Sequence, residues 1–204
     1  MKNTTYISTV CQIVNGSVYI DGKLDYTCVS EDGVSEIFKE IYRQYAINYP
    51  KFFKMDNLCK LALLSTEILI RNSKKLDSKT AVVLSNNAAS LDTDRKHQAT
   101  INNIENYYPS PANFVYTLPN IAIGEISIMH QLQSENAFFV FDAFNSEFLS
   151  NYATTLLATT NTNAVICGWV EIDGINYNGF VYLVKKGSKN TKNSDITQLF
   201  KTSD

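Results

Sequence analysis

Thiols and imidazoles are the side chains best suited to nucleophilic catalysis or soft-metal binding, and this chain holds four Cys and two His in 204 residues. Cys11, Cys28, Cys59 and Cys167 are widely scattered, whereas a disulfide framework or a metal site needs tighter clustering, so they read as separate buried thiols. Cys167 lies inside an apolar run, Cys59 follows Asp56 on an expected helix beside Lys60 without a His partner, and Cys11 and Cys28 fall in or near N-terminal strands. His97 sits among Arg95, Lys96 and Gln98 and is expected on a solvated helix face. His130 falls near the C-terminal end of a helix, where positive charge is favoured, and reads as a satisfied, semi-buried side chain. The sequence shows no Gly-x-Ser-x-Gly elbow, no Gly-rich phosphate loop and no paired metal motif, so no metal or cofactor is expected. Asp92 and Asp94 are expected to cap a helix rather than to form an acid/base pair.

Composition narrows the function classes further. Hydrophobic residues make up 45% and charged residues 19%, which argues for a globular core rather than disorder. A net charge of −2 leaves no electrostatic footprint for nucleic acid. No apolar run reaches membrane-spanning length and no leader-like start is present, so the expectation is a cytoplasmic protein. One domain is expected over 1–186, followed over 187–204 by a polar tail with at most a short helix at 196–200.

The elements that must position any site follow from turn chemistry and periodicity. Asn15-Gly16 between β-rich runs is a two-residue hairpin signal, and Asp21-Gly22 marks a second turn. Helices are expected over 34–49, ended by Pro50, and over 54–71, capped by Asp56. A buried strand over 80–84, a small polar loop over 85–90 and an amphipathic helix over 94–107 come next. Ser110-Pro111 reads as a turn, and Thr117 as the cap of a helix with Pro119 near its start. Ile121, Ile123, Ile126, Ile128 and Leu132 surround much of that helix, which is therefore expected to be deeply buried, with Gly124 marking a close neighbour. A short buried strand over 137–141 then leads into a tight elbow, Asp142-Ala143-Phe144-Asn145. A helix over 146–159 follows, then strands over 164–172 and 176–186 joined by Asp173-Gly174.

Across residues 54–172 this order resembles the N-terminal half of a β-ketoacyl synthase, the condensing enzyme of fatty-acid and polyketide synthesis. Lys54-Met55-Asp56 matches the motif that opens one helix of that family; Thr117-Leu118-Pro119-Asn120 and Gly124-Glu125-Ile126-Ser127-Ile128 match another. Glu171 fits the end of the later strand, and bulky Trp169 departs from it. The family's nucleophilic Cys stands at the strand-to-helix elbow, and its position falls here on Phe144. The two His of the family come from a second half, before which this chain stops.

The resemblance implies an α/β, thiolase-like fold: a single βαβαβ-type half with a mixed sheet covered by helices and one face left wanting cover. It implies a catalytically inactive subunit of the chain-length-factor type, similar to the small ketosynthase-like proteins of aryl-polyene and flexirubin-type clusters. Its expected partners are a ketosynthase and an acyl carrier protein, or a second copy in a homodimer, since the family pairs through the strand before the elbow. Phe138, Phe139, Phe141, Asp142, Phe144, Asn145 and Asn120 are the expected interface residues, and the 12 Tyr and 11 Phe suit such a surface. Two other readings stand beside this one. The chain could be a self-associating binding or structural protein that keeps the fold without acyl chemistry. It could also be an acyltransferase of the 3-oxoacyl-carrier-protein synthase class using Cys59 or Cys167.

Overall fold

Two turns set the start of the fold. Asn15 and Gly16 (φ 49 and 73), then Asp21 and Gly22 (φ 50 and 76), take left-handed backbone at both central positions, the geometry that matches strand twist. They join β1 (Thr5–Val14), β2 (Ser17–Ile20) and β3 (Lys23–Thr27) into an antiparallel meander. The computed structural model describes residues 5–30, 32–73, 76–187 and 194–201.

After the meander come α1 (Val34–Gln44) and α2 (Asn57–Arg71). The helix expected over 34–49 stops early because Ala46 turns left-handed (φ 45) and Pro50 opens a 3-10 turn, Pro50–Lys54. Asp56 caps α2 as expected, its carboxylate accepting the Cys59 N–H at 2.9 Å. From Leu58 to Leu69 every residue of α2 is buried, because the helix is wedged between the sheet on one side and α1 and α5 (Ile121–His130) on the other.

Four further strands, β4 (Thr80–Asn86), β5 (Asn136–Val140), β6 (Ala164–Asp173) and β7 (Asn176–Lys186), complete a seven-stranded sheet in the order β3-β2-β1-β7-β6-β4-β5. β4 is parallel to both β5 and β6, and the other pairings are antiparallel, so the sheet is mixed. Period-two alternation sends Val82, Ile166 and Leu183 to the face covered by α1, α2 and α5. Val83, Val165 and Tyr182 go to the face covered by α6 (Ser146–Thr159) and α7 (Ser194–Lys201). Both faces therefore carry helices. Among the described residues what lies open in the sheet is an edge.

α5 departs from its expected setting. Thr117 does not cap it; the Thr117 hydroxyl instead donates to the Phe114 carbonyl and closes the short α4 (Pro111–Val115), whose cap is Ser110. Asn120 holds the cap position of α5 without a side-chain cap bond. Ala122, Ile123, Glu125 and Ile126 are buried, but Ile128 is 65% exposed and nothing approaches within 4 Å of a Cβ built on Gly124. The close approach expected at Gly124 occurs instead at Gly179, where a Cβ would lie 2.8 Å from Leu61 Cδ1 of α2. The helix expected over 94–107 is α3 (Leu91–Ala99). Thr100 ends it by donating to the His97 carbonyl, and a separate 3-10 turn forms at Ile104–Asn106. Asp92 and Asp94 sit in its first turn, not at its cap, which is Ser90.

Candidate functional site

The order of crossovers places the elbow. The chain passes from β4 to β5 through α3, α4 and α5, with α5 on one face of the sheet, and from β5 to β6 through α6 on the other. β4 therefore lies where the winding direction switches, and a crevice opens beyond the carboxyl ends of such strands. The elbow Asp142-Ala143-Phe144-Asn145 stands there, held to the end of β4 by two hydrogen bonds. The Phe141 N–H donates to the Asn86 carbonyl (2.9 Å), and the Asn87 side-chain amide donates to the Phe141 carbonyl (3.1 Å). Asn145 caps α6 by accepting the Phe148 N–H at 3.0 Å, and Asp142 and Ala143 are exposed.

An aromatic side chain fills the centre of this elbow. Phe144 turns back over the sheet, with ring centroids 4.5 Å from Phe200 of α7, 5.6 Å from Phe180 of β7 and 6.3 Å from Trp169 of β6. Sequence reasoning missed Phe200, since it lies in the stretch expected to be a polar tail from 187 onward. That stretch contains α7, over the short helix expected at 196–200, and its Ile196 is 2% exposed. The only signal was the Ile196/Phe200 spacing of one helical turn.

Burial pushes the Cys11 and Cys167 thiols far up, and Cys59 well above its ordinary value, with the Asp56 carboxylate adding to the effect at Cys59. Cys28, half-buried, is pushed up to about 11 by burial and then by Glu40. A thiolate is disfavoured at each. His130 lies 3.1 Å from the Glu67 carboxylate, a buried link between α5 and α2. His97 is half-buried on a helix whose Arg95, Lys96 and Gln98 are exposed, and its ring packs 5.5 Å from the exposed Phe114. Among the described residues no group of three His, Cys, Asp or Glu could hold a metal ion, and no helix is long and apolar enough to cross a membrane. Glu171 crosses from β6 to accept the N–H groups of Asn87 (2.6 Å) and Ala88 (3.3 Å), which fixes the loop after β4. Burial raises its pKa, partly offset by those two bonds.

β5 is not the buried strand expected from its apolar sequence. Val83, Leu84 and Ser85 of β4 pair with Ala137, Phe138 and Phe139 on one side, and among the described residues no strand pairs with the other. This free edge has neither proline nor a charged side chain, the usual guards against pairing with another chain. By contrast, β3 at the opposite edge carries exposed Lys23 and Asp25. Phe138 leans onto the α2/α5 face, while Phe139 meets Phe148 at 4.8 Å and Tyr152 at 5.3 Å on the α6 face. Phe141 stacks on Phe139 at 5.8 Å. Val140 is left 56% exposed, with Ile128 of the neighbouring α5 also open. The expected residues from Phe138 to Asn145 are thus divided: Phe138 lies on the α2/α5 face, Phe139 and Phe144 pack on the α6/α7 face, and Asp142 and Asn145 are exposed. Asn120 stands apart at the start of α5; Ser90, in the loop after β4, reaches toward it by donating to the Thr117 carbonyl.

No family profile and no curated protein matches the sequence. Solved structures do match in fold. The ishigamide ketosynthase/chain length factor superposes with a TM-score of 0.68 at 15% identity, covering 92% of this chain and 64% of that one. The ketosynthase ApeO in complex with its chain length factor ApeC, from Xenorhabdus doucetiae, gives 0.61 at 13% identity and covers 98% of this chain and 91% of that one. AntDE:AntF, a type II polyketide synthase acyl-carrier protein in complex with its ketosynthase, gives 0.63 at 12% identity, with 91% and 63% covered. The chain spans less than two thirds of the first and third of these and nearly the whole of the second. The mixed sheet wound about β4 and covered by helices is thus a fold this chain shares with solved ketosynthases.

Proposed function

We propose that this chain is a non-catalytic, chain-length-factor-type subunit that pairs through β5 with an active ketosynthase in polyketide or fatty-acid chain synthesis. The observation that carries this reading is the junction of an open, uncharged sheet edge with an elbow plugged by Phe144. Both features lie on one strand and the turn after it. A phenyl ring can neither form a thioester nor leave room beside Phe200 and Phe180 for an acyl chain at that spot. A second strand meeting β5 would satisfy its free N–H and C=O groups and cover Val140 and Ile128. The partner's elbow would then supply the thiolate, an acyl carrier protein would deliver the chain, and this subunit would contribute wall rather than chemistry.

The test is the light-scattering mass of the purified chain, alone and mixed with ketosynthases and acyl carrier protein from its own host. A stable one-to-one complex with a ketosynthase, lost in Val140→Lys, is the expected result. A self-dimer that ignores every ketosynthase and dissociates in the same variant would replace this reading with the homodimeric binding protein. Acylation of the isolated chain by an acyl thioester would overturn its non-catalytic part.

A further inference from the structure

Away from β5, a cleft of about 220 Å³ opens at the start of α2, between the 3-10 turn before it and the helices α3 and α4. Lys54, Lys60 and Lys96 reach its walls, with Asn57, Asn113 and Tyr116 as polar neighbours and the Asp56 carboxylate, bonded to Thr93, on the same wall. Lys60 is the unusual member. It is only 6% exposed, yet among the described residues it has neither an ion-pair partner nor a hydrogen-bond acceptor. Its ammonium group lies over the Phe52 ring, 5.9 Å from the centroid. A lysine side chain so far withdrawn from water without an ion-pair partner is costly, since buried charges are ordinarily paired.

The acids nearby are engaged elsewhere. Asp56 accepts the Cys59 N–H (2.9 Å) with one oxygen and the Thr93 hydroxyl (2.7 Å) with the other. Asp92 is paired with Lys96 at 2.6 Å, and Glu36 with Lys39 at 2.5 Å. Burial lowers the Lys60 pKa, and Lys39 and Lys96 lower it further, while Asp56 and Glu36 oppose the shift. The N-terminus of α2, a helix of 15 residues, adds its partial positive charge to the same opening.

We propose that this cleft is a binding site for a small phosphate-type oxyanion, either free phosphate or the phosphate of a monoester, with Lys60 as its buried anchor. Lys54 adds a second positive charge at the mouth, and the Asn113 amide and Tyr116 hydroxyl offer neutral donors on the α4 side. The anion supplies the counter-charge that the chain withholds from Lys60. The proposal rests on this cleft alone and stands or falls separately from pairing through β5.

The test is titration calorimetry of the full chain with inorganic phosphate and, separately, O-phosphoserine, at constant ionic strength set with chloride. Saturable one-to-one binding is expected, weakened by at least about tenfold in Lys60→Met and by less in Lys54→Gln. Tighter binding of phosphoserine would identify a monoester as the ligand, and equal or weaker binding would identify free phosphate. Because Lys60→Met removes a buried charge, it should melt at or above the wild-type temperature without phosphate and gain nothing when phosphate is added. Absence of saturable binding to either probe, or unchanged affinity in a folded Lys60→Met, overturns the proposal.

Discussion

Replacing Phe144 with Ala tests whether the elbow is a structural plug. The ring touches Phe200, Phe180 and Trp169, so its removal takes packing from three elements at once. A fully buried Phe→Ala change costs about 3–5 kcal/mol, and Phe144 is half-buried, so the expected loss is about 2 kcal/mol. For a domain of this size that lowers Tm by about 4–8 °C. The loss should also be uneven. α7 is held by Ile196, by Phe200 against Phe144 and Phe180, and by the Thr197 hydroxyl against Ser146, so removing Phe144 loosens this helix first. Thermal unfolding followed by circular dichroism gives the total, and amide hydrogen exchange gives the distribution. Exchange over Ser194–Lys201 should quicken well before that of β6 and β7. An unchanged Tm with unchanged protection of α7 would refute the plug and remove the packing argument against acylation at the elbow.

The two glycines offer an opposed pair. Gly179→Ala drives a methyl into Leu61 and should cost about 1–3 kcal/mol by chemical denaturation, whereas Gly124→Ala on open helix surface should stabilise by about 0.5–1 kcal/mol. Native thiol modification should be slow and reach only Cys28 before unfolding, with Cys11, Cys59 and Cys167 titrating after denaturant is added; rapid labelling of Cys59 or Cys167 would reopen the enzyme reading. Burial alone would raise the Glu67 pKa, but the close approach of His130 and the hydrogen bond from Arg71 outweigh it and hold the folded value below the ordinary carboxylate range. The folded state then binds fewer protons than the unfolded one. The stability this contributes is present above the ordinary carboxylate pKa and lost as pH falls through the folded value. Acid unfolding of Glu67→Gln should accordingly show a flatter acid limb than the wild type.

Local signals carried far into the fold. The helix Ser146–Thr159 and the strands Ser17–Ile20 and Asn176–Lys186 form over the residues their periodicity and turns mark. Asp56 caps α2 because a short acidic side chain satisfies a free helix N–H wherever the helix lies, which makes such a cap readable from sequence. Other boundaries slipped where hydrogen bonds from outside the segment decided them. α1 ends at a left-handed Ala46 that no sequence rule marks, and Thr117 was spent on α4 instead of α5.

The chemistry followed the same division. The scattered thiols and the absent catalytic motifs were legible because catalysis needs residue types at definite spacings. The run Asn136–Val140 determined a strand, but apolar residues read alike in the middle of a sheet and at its margin. The resemblance implied pairing through this strand, and the strand order puts β5 at the edge, where among the described residues no strand pairs with its outer side. The sequence likewise placed Phe144 in a turn, while the long-range return of α7 made that turn a plug. It placed Lys60 on a helix, while the folded chain left this largely buried side chain without an ion-pair partner. Backbone preference and periodicity act within a few residues and are written locally; which face, edge or charge stays unsatisfied depends on contacts between distant segments, and only the folded chain settles it.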